Sequence, residues 1–212
     1  MPWVADGLEV DGVDASADMI AGCREAARRV GRNPALYVQP LHLLDLPRRY
    51  GAIVICGGFG LGATRQQDLE GLRRLFDHLR PGGVLALDYE VEEFDVERLR
   101  RWQPREADDS PPEPPHRRVG ADGFEYALRH RVVSVDVDAR RMIRELQAWQ
   151  WSAGKLIAHE THRLVLNVYS SSEIIAALDA AGFDDVRVVG GYHGDPPTGD
   201  ERFLVYLAHR PV

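Results

Sequence analysis

Asp14 is a carboxylate whose position in the sequence could serve to bind a sugar. Residues 10–16, VDGVDAS, have the pattern of a short strand that ends in an acid and leads into a helix cap. Doubly wound sheets bind ligands at the carboxyl ends of their parallel strands, and an ionised carboxylate can accept hydrogen bonds from both hydroxyls of a ribose. Asp14 could instead only help to cap the next helix, but its neighbours along the chain favour the ribose role.

A second group of candidates follows the apolar run AIVIC at 52–56, which is typical of a strand buried on both faces of a parallel sheet. Gly57 comes directly after this run, and a glycine there lets the backbone approach a ligand closely. Residues 58–63, GFGLGA, also fit the glycine pattern of a dinucleotide-binding turn. Asp88 would then bind the ribose, but it lies thirty positions after Gly58 rather than about twenty. This spacing weighs against an NAD(P)-binding oxidoreductase, which is kept as an alternative function for the chain.

Aromatic and histidine side chains in the second half of the chain could contact a substrate. They are Trp149, Trp151, His159, His162, Tyr192 and His193. Trp149 and Trp151 share one face of a strand, so they could wall a pocket or cover a local core, and the core is favoured. His159 and His162 would point to opposite faces, which does not favour a metal pair, although either could act as a base. The sequence identifies no catalytic residue and no metal site.

The elements that would position these side chains alternate between strand and helix up to about residue 90, which predicts βαβ units and a parallel sheet. Residues 103–118 contain five prolines and can form neither a helix nor a central strand. Three extended segments with tight turns follow and predict an antiparallel meander. A helix near 171–182 and two last strands end the chain, and a loop containing Pro196 predicts that these strands pair as an antiparallel hairpin.

The composition excludes several classes of function. The chain has 212 residues, 44% of them hydrophobic, which suits one compact domain. The net charge of -7 argues against a nucleic-acid binder, which needs clustered lysine and arginine. Two cysteines cannot form a disulfide framework, and no apolar run approaches the roughly 20 residues that span a bilayer. Since the first residues do not have the pattern of a signal peptide, we expect a cytoplasmic protein with no membrane contact.

The order of the segments resembles the class I S-adenosylmethionine-dependent methyltransferases. The segments are VDGVDASADMI, YVQPLHLLDLP, YGAIVICGGFG and LRPGGVLALD, and the tail AAGFDDVRVVGGY with a last strand resembles the family's C-terminal hairpin. This resemblance covers nearly the whole chain. It implies a Rossmann-like α/β fold over 1–212, with a doubly wound, mostly parallel sheet in the strand order 3-2-1-4-5-7-6. The antiparallel β insertion would span 122–169 and lie over the active-site edge.

The resemblance also implies which residues bind the cofactor, S-adenosyl-L-methionine. Asp14 would bind the ribose, and Ala15 and Met19 would lie near the adenine. Leu41 and His42 would flank the adenine, although the acid that family members often have near Leu41 is absent. The residues beside the methionine moiety and the transferred methyl would be Cys56, Gly57 and Phe59. For Met19, Leu41 and Phe59, ordinary core packing is the competing interpretation.

The sequence departs from the family at its start. The family's first strand and its glycine-rich turn should come about one helix before residues 7–14, and MPWVADG does not supply them. The sheet should therefore lack its first, central strand. We expect either a start downstream of the true one, which is favoured, or a degenerate paralogue.

The sequence thus favours methyl transfer from S-adenosylmethionine to a small-molecule acceptor, with activity impaired if the cofactor loop is missing. The alternative from another class is a non-catalytic interaction protein that kept the scaffold and lost the cofactor. Such a protein would form a dimer, with a partner covering the unpaired centre of the sheet.

Overall fold

The computed structural model describes residues 6–90, 101, 110–111, 116–120, 122–199, 201 and 203–212. Its helices are α1 (Ala17–Arg29), α2 (Arg65–His78) and α3 (Ser171–Ala180), with a 3-10 turn at Leu41–Leu43. Its strands are β1 (Gly12–Asp14), β2 (Leu36–Val38), β3 (Tyr50–Ile55), β4 (Leu79–Glu90), β5 (Arg118–Val119), β6 (Glu125–Asp136), β7 (Arg141–Ser152), β8 (Lys155–Asn167), β9 (Asp184–Gly190) and β10 (Phe203–His209).

Four strands form the larger sheet of the domain body, in the order β3-β4-β10-β9. β3 and β4 run parallel, with Ile53 opposite Leu85. β10 runs antiparallel to both β4 and β9. In the family's strand numbering, β3, β4, β10 and β9 correspond to strands 4, 5, 7 and 6 of the predicted order. The pairing of β9 with β10 confirms the C-terminal hairpin.

The remaining half of the predicted order is a separate parallel pair, β1 and β2, with Val13 opposite Tyr37. Within the described part of the chain, no strand pairs with the outer edge of β1 or with the edge of β3 that faces away from β4. Val13 and Val54 on these two strands are 37% and 46% exposed. The predicted α/β fold is confirmed. Between its two sheet segments, one strand position of the predicted order is not filled by any described strand.

The helices begin where the sequence supplies a cap. The Ser16 side chain accepts a hydrogen bond from the Met19 amide, as predicted, and α1 ends at Arg29 before Pro34 is reached. Thr64 and Ser170 start α2 and α3 with complete capping boxes. Because these caps satisfy amides of the first turn, the helices that pack on the sheet have fixed starting points.

The junction of α2 and β4 differs from the prediction. The proline and two glycines of LRPGG, at residues 79–83, predict a break that ends the helix, followed by a strand VLALD at 84–88. In the structure β4 already begins at Leu79, which pairs with Tyr50. Gly82 has a φ of +73°, and the register with β3 shifts between Tyr50 and Ala52. The chain therefore bends inside the strand, which a glycine allows at little cost.

The predicted meander is present as β6, β7 and β8, with the short β5 on the outer edge of β6. The edge of β8 that faces away from β7 runs along the loop after β3. The Asn167 amide donates to the Gly60 carbonyl at 2.7 Å, and the Gly62 amide donates to the Val165 carbonyl at 2.8 Å. The sequence analysis missed β5, because a two-residue strand leaves no periodic pattern.

The main core lies between the larger sheet and the helices α2 and α3. Its fully buried members include Leu72, Leu85, Leu87, Ile174, Leu178 and Tyr206. The meander has a separate small core of Ala127, Trp149 and Trp151. The sheet that carries the candidate site therefore rests on a well-packed body, while the meander is stabilised mainly by its own cross-strand contacts.

Candidate functional site

The carboxyl ends of β1, β3 and β4 carry the candidate residues Asp14, Cys56 and Asp88. The amino ends of β1 and β3 are joined through Asp11, which accepts a hydrogen bond from the Tyr50 hydroxyl at 2.7 Å and forms an ion pair with Arg48. This contact ties the starts of the two sheet segments to each other. The strands therefore end on the opposite side, where the polar groups collect.

Asp14 ends β1 and is half-buried. One of its carboxylate oxygens accepts a hydrogen bond from the Ser16 amide at 2.8 Å, so Asp14 does support the turn that leads into α1. A carboxylate has further acceptor capacity beyond one amide. The geometry thus allows both roles predicted for Asp14, the helix entry and the binding of a diol.

Ala15 and Met19 lie exposed beside Asp14, and Met19 is 59% exposed. The competing interpretation, in which Met19 packs into a core, does not hold in this structure. Leu41 is different, because it lies against α2 so closely that a Cβ on Gly71 would come within 2.8 Å of its side chain. The His42 ring nitrogen Nε2 lies 3.1 Å from the side-chain amide nitrogen Nε2 of Gln67, which is also on α2. Leu41 and His42 thus hold the loop after β2 against the helix after β3.

Cys56 and Gly57 follow β3 and are exposed. Gly57 has a φ of +62°, and a Cβ built on it would meet nothing within 4 Å. Partial burial, and then the negative charge of Asp88, raise the pKa of the Cys56 thiol. At this part of the edge, a ligand could therefore approach the Gly57 backbone closely, next to the protonated thiol of Cys56.

Asp88 lies near the end of β4, is 5% exposed, and accepts two hydrogen bonds. The Gly57 amide and the Tyr192 hydroxyl each donate to it at 2.5 Å. The Asp88 carboxylate, and then burial, raise the pKa of Tyr192 to about 12, so the phenol stays a donor at neutral pH. Sequence analysis considered Asp88 only as a ribose acid and Tyr192 only as a pocket residue. It missed the pair because the two residues are 104 positions apart.

Phe59 is 5% exposed and packs in an aromatic cluster with Tyr89 and Tyr169. Its side chain fills the core beneath the site, which is the competing interpretation given above. Beside this cluster, the Tyr169 hydroxyl and the side-chain amide of Asn167 each donate to the Asp68 carboxylate at 2.7 Å. Burial raises the pKa of Asp68 despite these donors. This network was not predicted, because its members come from α2 and from the end of β8.

The meander residues proposed as pocket walls contact one another instead. Trp149 and Trp151 are almost completely buried in the meander's small core. The His159 ring stacks on Trp149 with centroids 4.9 Å apart, and His162 lies near Glu160 on the other face of β8. The favoured prediction of a core role for the two tryptophans agrees with this packing. One ion pair, between Arg144 and Glu90 at 3.5 Å, links the meander to the end of β4.

The glycine pattern at 58–63 does not form an open phosphate-binding turn. Gly60 has a φ of +79°, and a Cβ there would lie 2.9 Å from the Asn167 carbonyl oxygen. The close approach that this glycine permits is therefore to β8. The helix that follows begins with Thr64, whose side chain already accepts from the Gln67 amide. Both contacts weigh against the dinucleotide-binding alternative.

A cavity of about 480 Å³ lies at the opposite edge, among residues 8–11, 32–35, Tyr37 and 47–48. None of the predicted cofactor residues lines it. It contains the Asp11 ion pair, where burial, and then the hydrogen bond to Asp11, raise the pKa of Tyr50 to about 12. We assign this cavity to the junction of the two sheet segments, since ligands of doubly wound folds bind at the carboxyl edge.

In the parts of the chain that the structure describes, no three or more histidine, cysteine, aspartate or glutamate side chains lie together so that they could hold a metal ion. None of the described helices has the length and apolar character needed to cross a bilayer.

Solved structures of methyltransferases share this fold. An S-adenosylmethionine-dependent methyltransferase from Clostridium acetobutylicum is 14% identical, with a TM-score of 0.75 over 97% of this chain and 76% of its own. The CcbJ methyltransferase from Streptomyces caelestis is 16% identical, with a TM-score of 0.68 over 99% of this chain and 78% of its own. CalS10, an amino pentose methyltransferase from Micromonospora echinaspora, is 19% identical, with a TM-score of 0.61 over 95% of this chain and 74% of its own.

No protein-family model and no curated protein sequence matches the chain. At these low identities, the structural similarity establishes the fold. It confirms the Rossmann-like methyltransferase fold that the sequence predicted.

Proposed function

We propose that this protein transfers a methyl group from S-adenosylmethionine to a small-molecule acceptor. The observation that carries the proposal is the position of Asp14, Gly57 and Asp88 at the carboxyl ends of β1, β3 and β4. β3 and β4 are paired, whereas β1 belongs to the other sheet segment, beyond one strand position that no described strand fills. The structure of CalS10 was solved with S-adenosylmethionine bound, which supports this choice of cofactor. The carboxyl edge is also where doubly wound sheets bind their ligands.

The described residues fit the nucleoside half of this cofactor. Asp14 keeps acceptor capacity for the ribose hydroxyls, and the exposed Met19 and Ala15 offer an apolar surface for the adenine. Leu41 and His42 would lie along the other side of the base. At the methionine end, the open space over Gly57 admits a ligand against the backbone, and Cys56 lies next to it. Phe59 would act from below, by supporting this loop.

When bound, the cofactor supplies an electrophilic methyl group on a sulfonium. The chain's own contribution is to orient both reactants, since in-line positioning accounts for most of the acceleration of such a transfer. Asp14 fixes the nucleoside, while the Asp88 hydrogen bond fixes the Gly57 backbone. The meander, held to the end of β4 by the pair of Arg144 and Glu90, would cover the acceptor and exclude water.

Calorimetric titration with S-adenosylhomocysteine tests the proposal. We expect binding to the native protein, and an affinity about 10- to 100-fold lower for Asp14→Ala, because a hydrogen bond to a charged group is lost. The matched control is Asp18→Ala, another acidic residue at the start of α1, which should bind as the native protein does. A native protein that does not bind, or an Asp14→Ala variant that binds equally well, would contradict the proposal.

A second candidate function is that of a non-catalytic interaction protein on the same scaffold. The specific observation in its favour is that β1 and β3 each have a strand on only one side within the described chain, with Val13 and Val54 exposed. Unpaired strand edges bind other strands readily, and a second copy of this chain is the partner we expect. Light scattering that shows a stable monomer at micromolar concentration would reject this candidate.

A further inference from the structure

The Asp88 carboxylate is buried, and no side chain of the described residues places a positive charge beside it. The residue is 5% exposed, and its two hydrogen bonds come from neutral donors, the Gly57 amide and the Tyr192 hydroxyl. Among the residues that the structure describes, no lysine, arginine or histidine forms an ion pair with Asp88. Burial of a charge is costly unless a cation or several donors compensate for it. Such a carboxylate is suited to accept a hydrogen bond from a ligand on which positive charge develops.

Among the described residues, Tyr192 is the side chain that donates to Asp88. Tyr192 is itself 65% exposed, and its hydroxyl reaches back to Asp88 from the loop after β9. Gly191 and Gly194 flank it with φ values of +57° and +82°. If the tyrosine turned outward, the buried carboxylate would face the carboxyl edge of the sheet. The hydroxyl therefore occupies a position that another N–H or O–H donor could take.

We propose that Asp88 binds the amino group of the methyl acceptor, and that the Tyr192 hydroxyl holds this position until the acceptor arrives. This inference rests on the proposed function and specifies its substrate class, an amine. Its basis is the direct hydrogen bond from Gly57, the residue proposed to lie beside the transferred methyl, to the Asp88 carboxylate. A nitrogen that donates to Asp88 would thus lie close to that methyl.

The charge balance of the reaction favours an amine over an alcohol. The acceptor reacts as the neutral amine, which gives up its ammonium proton to water before it binds. In the transfer an N–C bond forms from the nitrogen lone pair, the S–C bond breaks, and its electron pair stays on sulfur. The positive charge moves to the nitrogen, which keeps its protons until the product is released to water. A fixed carboxylate stabilises this developing charge without taking a proton. An alcohol would require removal of its proton, for which a carboxylate is a weak base.

The experiment compares two cofactor analogues by calorimetric titration. S-Adenosylhomocysteine lacks the methyl, whereas sinefungin carries an amine-bearing carbon in place of the methylsulfonium. The native protein should bind sinefungin at least about tenfold more tightly, since a cation gains from a carboxylate in a cleft of low dielectric. Asp88→Asn should lose about tenfold in sinefungin affinity and keep its affinity for S-adenosylhomocysteine within about twofold.

Two further variants make the test specific. Tyr192→Phe removes the competing hydroxyl and should raise sinefungin affinity about threefold, which also tests the idea if Asp88→Asn does not fold. Asp68→Asn, an equally buried aspartate outside the proposed contact, should leave the ratio of the two affinities unchanged. If S-adenosylhomocysteine binds but the ratio is the same in the native protein, Asp88→Asn and Tyr192→Phe, the amine site is wrong. If neither analogue binds the native protein, the proposed function fails and this inference fails with it.

Discussion

Asp68 and Asp88 are both buried, at 3% and 5% exposure, yet their surroundings differ. The donors to Asp68 include Asn167 and Tyr169, which are themselves buried and come from the end of β8 and the segment that follows it. The side-chain donor to Asp88 is Tyr192, which is largely exposed. The first carboxylate connects elements of the fold that are distant in sequence. The second accepts from a surface residue, which is the arrangement that we proposed for a group that meets a ligand.

The two regions also use glycine differently. Gly60, beside Asp68, brings the loop after β3 against the backbone of β8. Gly57, beside Asp88, has open space where a side chain would be. Burial alone thus does not distinguish the carboxylate that connects the fold from the one that we propose to bind the acceptor. The origin of the hydrogen-bond donors, and the space around them, make that distinction.

The largest expected effect is on stability, and it separates the two aspartates. Asp68→Ala leaves the buried donors of Asn167 and Tyr169 without an acceptor, so we expect a loss of about 3 kcal/mol in the free energy of unfolding. Asp88→Ala leaves only the Gly57 amide, since Tyr192 can turn to water, and should cost about 1 kcal/mol. Urea denaturation of both variants measures the difference. Equal losses would show that both carboxylates serve the fold.

The next largest expected effect is the loss of stability when Gly60 or Gly57 is replaced by alanine. Gly60→Ala adds a Cβ at 2.9 Å from the Asn167 carbonyl oxygen, on a residue with a φ of +79°, and should destabilise the protein by about 2–3 kcal/mol. Gly57→Ala meets only the backbone strain of a φ of +62°, which costs about 1 kcal/mol. Thermal melts of the two variants provide the measurement. A larger loss for Gly57→Ala would mean that the loop after β3 is packed differently.

Sequence reasoning identified most elements of the fold because their signals are local. The cap at Ser16, the apolar run of β3 and the alternation in the meander each lie within a few residues. The hydrogen bonds of Tyr169 to Asp68 and of Tyr192 to Asp88 connect residues about 100 positions apart, so no local sequence pattern predicts them. The roles of Asp14 and its neighbours as cofactor ligands stay predictions, since they depend on a bound molecule.

The pH dependence of stability provides a smaller effect. Burial raises the pKa of Asp68 above its ordinary value of 3.8, so the folded state binds this proton more tightly than the unfolded chain does. The contribution of Asp68 to stability is therefore largest below pH 3.8 and declines as the pH rises through the folded-state pKa. The difference in unfolding free energy between native protein and Asp68→Asn should fall over this range. Urea titrations at several pH values measure it, and a difference that rises would reverse the assignment.

The smallest effect reports on the charge of Asp88 through Cys56. Partial burial, and then that charge, raise the pKa of the Cys56 thiol, which slows its alkylation because the thiolate is the nucleophile. In a Cys23→Ser background, where Cys56 is the only thiol, iodoacetamide labelling near neutral pH should be about threefold faster for Asp88→Asn. The pKa of this thiol should still be raised above its ordinary value, because the burial is unchanged. If the Asn variant reacts no faster, Asp88 places no uncompensated negative charge beside Cys56, and the proposal of an amine acceptor is contradicted.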